Sequence, residues 1–161
     1  MIILITTPFF TEFSKSLNDG DTVLYIPFAR KTQEEQQTVF VRDSTSILKH
    51  TDKQLQVEKA ELATFKTQLG KADAIFVAGG TTKTLQERLC SCPEFAELIR
   101  GKVYAGSSAG ANVIAQFHTS GFAEGIQEGL GILKVGIIAH YGNPEFNATQ
   151  ASKKLFPEDC E

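Results

Sequence analysis

Residues 104–112 read YAGSSAGAN, where a short apolar run leads directly into Gly-Ser-Ser-Ala-Gly. Gly106 to Gly110 fit the pattern G-x-S-x-G, in which small flanking residues let a strand turn sharply into a helix. Such a turn holds its middle serine in a strained and exposed conformation. The middle serine is Ser108 rather than Ser107, and Ser108 is therefore the candidate nucleophile.

The rest of the chain alternates between strand-like and helix-like segments. Strands are predicted at residues 1–7, 22–28, 54–60, 72–80, 101–106 and 132–140, helices at 32–50, 60–69, 81–90, 93–100, 109–117 and 145–156, and a glycine-rich loop at 120–131. The first two strands are continuous apolar runs, which are typical of the middle of a parallel sheet. Gly70 is a predicted C-terminal helix cap. This alternation predicts an α/β sandwich built around a mainly parallel sheet.

Length and composition restrict the class of protein. The 161 residues, of which 42% are hydrophobic, predict one domain over 1–161. The net charge of −3 argues against nucleic-acid binding. No apolar run is long enough for a membrane span, and the first residues lack a secretory signal, so we expect a cytoplasmic protein without membrane partners. The three cysteines lack metal-ligand spacing, which predicts reduced thiols and no metal site.

Ligands of a parallel sheet bind beyond the carboxyl ends of its strands. Three predicted strand ends carry unusual residues, namely Gly79-Gly80, Gly106–Ser108 and His140, and these ends are candidates to share one cleft. A serine needs a base to take its proton, and His140 is the candidate. Backbone N–H groups of Ala109 and of Gly79 or Gly80 are candidate donors to an oxyanion. His50 and His118 are expected at surface or helix-end positions.

The same residues resemble the dipeptidase E family, the α-aspartyl dipeptidases. Four segments carry the resemblance in order along the chain: VLYIPFARKTQEE, IFVAGGTTKTLQERL, VYAGSSAGANV and GLGILKVGIIAHYGNPE. The family implies a class I glutamine amidotransferase-like, flavodoxin-like fold with three layers. It also implies a serine peptidase that uses Ser108, His140 and backbone amides near Gly80 and at Ala109, without a cofactor. The implied substrates are short peptides with an N-terminal aspartate.

The sequence departs from the family pattern at two substrate-binding positions. Thr81 stands where the family has an asparagine that helps to hold the substrate. The family arginine that pairs with the substrate aspartate has no counterpart, and Lys153 and Lys154 follow instead. A lysine lacks the planar fork that matches a carboxylate, so these departures weaken the expectation of aspartyl specificity.

The third catalytic residue stays open at this point. The chain ends at Glu161, before the family segment that carries the acid that orients the histidine. Glu124, Glu145, Glu158 or a residue of a partner subunit are the alternatives, and a homodimer that covers an exposed sheet edge is expected. The alternative functions are an inactive relative that binds a small molecule or protein, and an esterase or amidase. A glutamine amidotransferase is disfavoured because that chemistry uses a cysteine at the position of Ser108.

Overall fold

The computed structural model describes residues 2–4, 9–120 and 123–140. The strands are β1 (Ile2–Leu4), β2 (Thr22–Ile26), β3 (Gln56–Lys59), β4 (Ala74–Val77), β5 (Val103–Gly106), β6 (Ala115–Ser120), β7 (Ala123–Glu128) and β8 (Leu133–Ile138). The helices are α1 (Phe9–Lys15), α2 (Gln33–Lys49), α3 (Phe65–Lys71), α4 (Thr82–Leu89), α5 (Phe95–Leu98) and α6 (Ala109–Asn112). The chain divides into two compact units, with the boundary between Gly110 and Ala111. A single domain over 1–161 stays a prediction.

The first unit contains a five-stranded parallel sheet in the order β1-β5-β4-β2-β3. Its register pairs Ile26 with Val77, and Val77 with Gly106, so β2, β4 and β5 end in one row. The segments that follow these three strands therefore leave the sheet at the same edge. The connection that leaves β2 leads to β3, and the connection that leaves β4 leads in the opposite direction to β5. Ligands bind in such sheets at the edge where two neighbouring connections diverge in this way.

Side chains that alternate along the strands point to opposite faces of the sheet, and those on both faces are buried. Val23, Tyr25 and Phe76 form a core with α1 and α2 on one face. The intervening residues Leu24 and Ile75 point to the other face and are also buried. On that second side α3 contacts α5 and β2. The predicted three-layer α/β arrangement with a mainly parallel sheet is confirmed.

The longest helix, α2, shows why this segment is helical. Thr32 is its N-cap and accepts a hydrogen bond from the N–H of Glu35, whose carboxylate accepts one from Thr32 in return. Val39 and Ile47 are buried on one face of the helix. The helix ends at His50, which is exposed at the C-cap as expected.

Three local predictions about the first unit are wrong, and one helix was missed. β1 lies at the edge of the described sheet rather than in its middle, because an apolar run reports buried faces and not the number of neighbouring strands. The helix expected at 60–69 begins at Phe65, since Ala60 still donates a hydrogen bond to the Tyr25 carbonyl at the end of β3. Gly70 lies inside α3 and does not cap it. Helix α1 was not predicted.

The second unit contains a three-stranded sheet in the order β7-β6-β8. β6 runs antiparallel to β7 and parallel to β8. The helix predicted at 109–117 is wrong beyond Asn112, and the loop predicted at 120–131 contains β7. Strand pairing on both sides of β6 satisfies its backbone and overrides the local pattern. β8 pairs with β6 and not with the five-stranded sheet, although its strand prediction is confirmed.

His118 lies on β6 and is buried, contrary to the expected surface or helix-end position. Its Nδ1 atom has no hydrogen-bond partner within the described part of the chain. Burial lowers the pKa of His118, because the charged imidazolium loses its hydration. The helix predicted at 145–156 lies outside the described residues.

Phe76 provides a test of the core of the first unit. Its ring stacks on Tyr25 at a centroid distance of 5.3 Å and meets Phe13 edge-on at 5.5 Å. We expect Phe76→Ala to lower the free energy of unfolding by about 3–5 kcal/mol, because it leaves a cavity among these rings. Urea denaturation measures the change. Leu62→Ala is the control, since Leu62 is 51% exposed, and its change should stay within about 0.5 kcal/mol. Equal effects of the two substitutions would contradict the assigned core.

Candidate functional site

Ser108 follows β5 at the turn into α6. Its φ is 48°, in the left-handed region that a side chain with a Cβ atom rarely adopts. Holding a residue in this region costs about 1–3 kcal/mol, so the surrounding contacts must impose it. The side chain is half-buried rather than enclosed. This backbone geometry is the one that the G-x-S-x-G pattern predicts for an exposed nucleophile.

The contacts that impose the turn come from β4 and β5. The Ser107 N–H donates to the Val77 carbonyl at 2.9 Å, and the Gly110 N–H donates to the Ser107 carbonyl at 2.9 Å. The buried Tyr104 hydroxyl donates to the Gly110 carbonyl at 2.6 Å. A Cβ atom at Gly110 would lie 2.5 Å from the Val77 carbonyl oxygen, so only glycine fits at this position.

The Gly79–Gly80 turn after β4 lies directly beside the serine turn. A Cβ atom on Gly79 would meet the Ser107 carbonyl oxygen at 3.2 Å and the Cβ of Ser108 at 3.5 Å. Gly80 has a φ of 152°, and a Cβ atom there would lie 2.5 Å from the carbonyl oxygen of Ala29. The structure thus brings together both glycines, Ser108 and the adjoining Ala109, as expected from the register of β4 and β5.

The backbone N–H groups at this edge fall into two sets. Those of Thr81, Ser107 and Gly110 donate to backbone carbonyls. Those of Gly79, Gly80 and Ala109 have no hydrogen-bond acceptor among the residues that the structure describes. Unpaired N–H groups are uncommon in folded proteins, and converging ones are suited to bind an oxyanion. These three are the donors that the sequence predicts.

Thr81 occupies the position before α4. Its side chain is exposed and makes no capping hydrogen bond to the helix, although threonine is a common N-cap residue. Its N–H instead donates to the Ala29 carbonyl at 3.0 Å. The hydroxyl therefore remains available at the same edge as the glycine turn.

Sequence reasoning missed the role of Arg88. From the last turn of α4, its guanidinium donates to the carbonyl of Phe28 at 2.9 Å, to that of Lys31 at 3.0 Å, and to that of Arg30. These bonds fix the loop after β2, which supplies the Ala29 contact to Gly80. Because the partners are about 60 positions apart in the chain, no local pattern could have indicated this clamp.

His140 belongs to the second unit. It follows β8 by two positions, is exposed, and has a φ of 58°. Of the alternative acids, Glu124 is a residue of β7. Glu145 and Glu158, like Lys153 and Lys154, lie outside the described residues.

The described residues contain neither a metal-binding cluster nor a membrane-spanning helix. No group of three or more His, Cys, Asp or Glu residues within 2–4, 9–120 and 123–140 is arranged to hold a metal ion. In the same part of the chain no helix combines the length and the apolar character that crossing a membrane would require.

Comparison with known proteins identifies the family. The model of peptidase family S51 matches residues 4–159 of this chain. The chain belongs to peptidase family S51. This assignment confirms the resemblance to the dipeptidase E family that the sequence motifs indicate. Family membership supports a peptidase.

Individual relatives agree with this assignment. An uncharacterized peptidase of Listeria monocytogenes is 30% identical over an alignment of 169 positions, which covers 94% of this chain and 79% of the relative. A crystal structure of a protein from the same organism, provisionally named peptidase E, is 25% identical with a TM-score of 0.52 and covers 72% of this chain. A peptidase from an acI-B1 actinobacterium shares the fold, with a TM-score of 0.54 at 19% identity over 93% of this chain.

This chain spans 62% and 64% of the lengths of those two solved structures. The alignments therefore show the family and the fold, and the activity of the complete relatives is carried over only as a proposal.

Gly110 offers a test of the packing that imposes the serine turn. Gly110→Ala should lower the free energy of unfolding by about 1–3 kcal/mol, because the new methyl group overlaps the Val77 carbonyl. Gly70→Ala is the matched control. Gly70 lies inside α3 with open space around it, so alanine there should raise stability by up to about 1 kcal/mol. Thermal or urea unfolding measures both, and a Gly110→Ala protein as stable as the parent would contradict the packing.

Proposed function

We propose that this protein is a serine peptidase that cleaves short peptides through an acyl-enzyme on Ser108. The observation that carries the proposal is the positive φ of Ser108, imposed by β4 and located beside three N–H groups that lack acceptors among the described residues. A strained serine next to N–H groups that no described residue occupies is an arrangement suited to acyl transfer. Membership in a peptidase family makes a peptide the expected acyl donor.

The proposed reaction has two steps. In the first, the Ser108 hydroxyl oxygen attacks the scissile carbonyl carbon while its proton passes to the base. The tetrahedral intermediate then collapses, its C–N bond breaks, and the same proton protonates the leaving amine. In the second step a water molecule attacks the ester, releases the acid, and returns the serine hydroxyl.

The oxyanion of each tetrahedral intermediate is assigned to the N–H of Ala109 and that of Gly79 or Gly80. Gly79 approaches the serine turn closely because it has no side chain, and Gly80 follows it directly in the same turn. Donors held in place before the reaction stabilise the negative charge without reorganisation, and one such donor contributes about 10²–10³-fold to turnover in comparable enzymes.

The base is assigned to His140 on the family resemblance and on its position after β8. The acid that would orient its ring is assigned to no residue. A triad without its acid loses control of the histidine tautomer, which costs about 10⁴-fold in a well-studied case. The candidates for this carboxylate are Glu124, Glu145, Glu158 and a residue of a partner subunit.

Substrate selection is the part of the proposal in which this chain differs most from its family. The exposed Thr81 hydroxyl replaces an asparagine amide as the substrate contact beside the glycine turn. A hydroxyl can donate one hydrogen bond and accept others, so it can still bind a peptide group. We propose short peptides as the substrate class, with N-terminal aspartate as a candidate preference.

Paired serine variants test the nucleophile. On a panel of dipeptides, half with N-terminal aspartate, Ser108→Ala should reduce kcat/KM by about 10⁴-fold or more, because it removes the attacking oxygen. Ser107→Ala is the matched control and should stay within about tenfold of the parent, since it alters an adjacent serine and leaves the turn intact. Release of free amino acids, followed by chromatography, measures the rates.

Two results would refute the proposal. Hydrolysis that survives Ser108→Ala would exclude Ser108 as the nucleophile. A parent protein that cleaves no member of the panel faster than Ser108→Ala would favour the binding-domain alternative. Including ester analogues of the same dipeptides identifies an esterase, which would cleave esters while leaving the peptides intact.

A further inference from the structure

Arg30 lies at the carboxyl edge of the sheet without a role in the proposed reaction. It follows the end of β2 by four positions, in the loop between β2 and α2. The register of β2 with β4 places this loop at the same edge as the Gly79–Gly80 turn. That edge, where connections on either side of β2 diverge, is the ligand-binding position of the fold.

The backbone at Arg30 is held rigidly. The Arg30 carbonyl accepts hydrogen bonds from the Arg88 guanidinium and from the Gln36 side-chain amide, the latter at 3.1 Å. The Arg30 N–H donates to the Pro27 carbonyl at 3.0 Å. A fixed backbone removes the cost of ordering the main chain when the side chain binds a ligand, and this preorganisation favours binding.

The loop is coupled to the serine turn through two direct contacts. The carbonyl of Ala29, the residue before Arg30, accepts a hydrogen bond from the Thr81 N–H. Ala29 also packs against Gly80. Gly79 in turn abuts Ser107 and Ser108. Arg30 is therefore adjacent to a segment that touches the proposed oxyanion donors, within the first unit of the chain.

The guanidinium of Arg30 has an unusual environment. Its Nε atom is buried and has no hydrogen-bond partner within the described part of the chain. No carboxylate there forms an ion pair with Arg30. The residue as a whole is half-buried, so the cost of an unpaired buried donor falls on the Nε–H, and such a donor in a native protein calls for an explanation.

A candidate counter-ion in the first turn of α2, Glu35, is already occupied. One of its carboxylate oxygens accepts hydrogen bonds from the backbone N–H groups of Lys31, at 2.9 Å, and of Thr32, at 3.0 Å. The Thr32 N–H is the main reason that the pKa of Glu35 is lowered, and the positive charge of Arg30 contributes to a smaller extent. Glu35 thus feels the charge of Arg30 but does not satisfy its N–H groups.

From these observations we infer that the Arg30 guanidinium binds a carboxylate of the peptide substrate, beside the Gly79–Gly80 turn. The inference rests on the proposed peptidase function. A guanidinium presents planar paired donors that match a carboxylate, which a neutral or single-point donor does not. A short peptide offers two carboxylates within a few bonds of its scissile amide, the C-terminal one and an N-terminal aspartate side chain.

Binding to the Ser108→Ala protein tests the inference without turnover. Isothermal titration calorimetry with Asp-Leu, its C-terminal amide and Asn-Leu compares each carboxylate with a neutral isostere. We expect one neutral analogue to bind about 10- to 100-fold more weakly than Asp-Leu, since a charge-assisted pair is lost. The analogue that loses affinity identifies which carboxylate Arg30 binds.

Arg30→Gln in the same background should remove this discrimination, so that the three peptides bind within about twofold of one another. Arg30→Lys should restore part of it, because lysine keeps the charge but lacks the fork. Lys31→Gln is the matched control. It removes one exposed charge from the same loop and should leave the discrimination unchanged. Thermal unfolding of each variant verifies that it is folded.

The inference is overturned if the Ser108→Ala protein binds all three peptides equally, binds none, or keeps its discrimination after Arg30→Gln. The proposed peptidase function fails separately, if the parent protein binds these peptides in an Arg30-dependent manner but does not hydrolyse them. The two failures are therefore distinguishable.

Discussion

The hydrogen bond from the Ser107 N–H to the Val77 carbonyl is the contact on which the candidate site depends. It extends the pairing of β4 and β5 by one residue past the end of β5, onto the last residue of β4. The chain after β5 must then turn over the end of β4, where only glycine fits at position 110. Ser108 is forced into the left-handed region as a consequence, and Gly79 is brought against it. The strain at the serine is thus a product of sheet register, and it is stabilised by the core beneath.

The sequence predicts the parts of the fold that are specified locally. Strands β2, β4 and β5 are short apolar runs that end at glycine or proline, and α2 begins at a threonine with a glutamate three positions later. The errors occur where partners distant in the chain decide the outcome. Residues 115–117 end a segment whose pattern suits a helix, but β7 and β8 flank them and make them part of a strand. The position of β1 at a sheet edge likewise depends on pairing that an apolar run does not record.

The candidate site shows the same division. The turn at Ser108 and the neighbouring glycine turn are predictable, because the pattern of small residues describes the steric requirement itself. The clamp from Arg88 and the Nε of Arg30, which lacks a partner among the described residues, are not predictable, since they depend on contacts of the loop after β2. Arginines in a helix or a loop are ordinary surface residues by sequence alone. Their significance follows from which carbonyls and carboxylates surround them in the folded chain.

The central claim is that Ser108 is an activated nucleophile. Labelling with a fluorophosphonate tests it most directly, because this reagent reacts fastest with a hydroxyl whose proton is accepted by a base beside an oxyanion site. Peptide mass mapping of the labelled protein should find a single phosphonyl adduct on Ser108 that persists in Ser107→Ala and is absent from Ser108→Ala. An adduct on Ser107, or labelling that survives Ser108→Ala, would contradict the account.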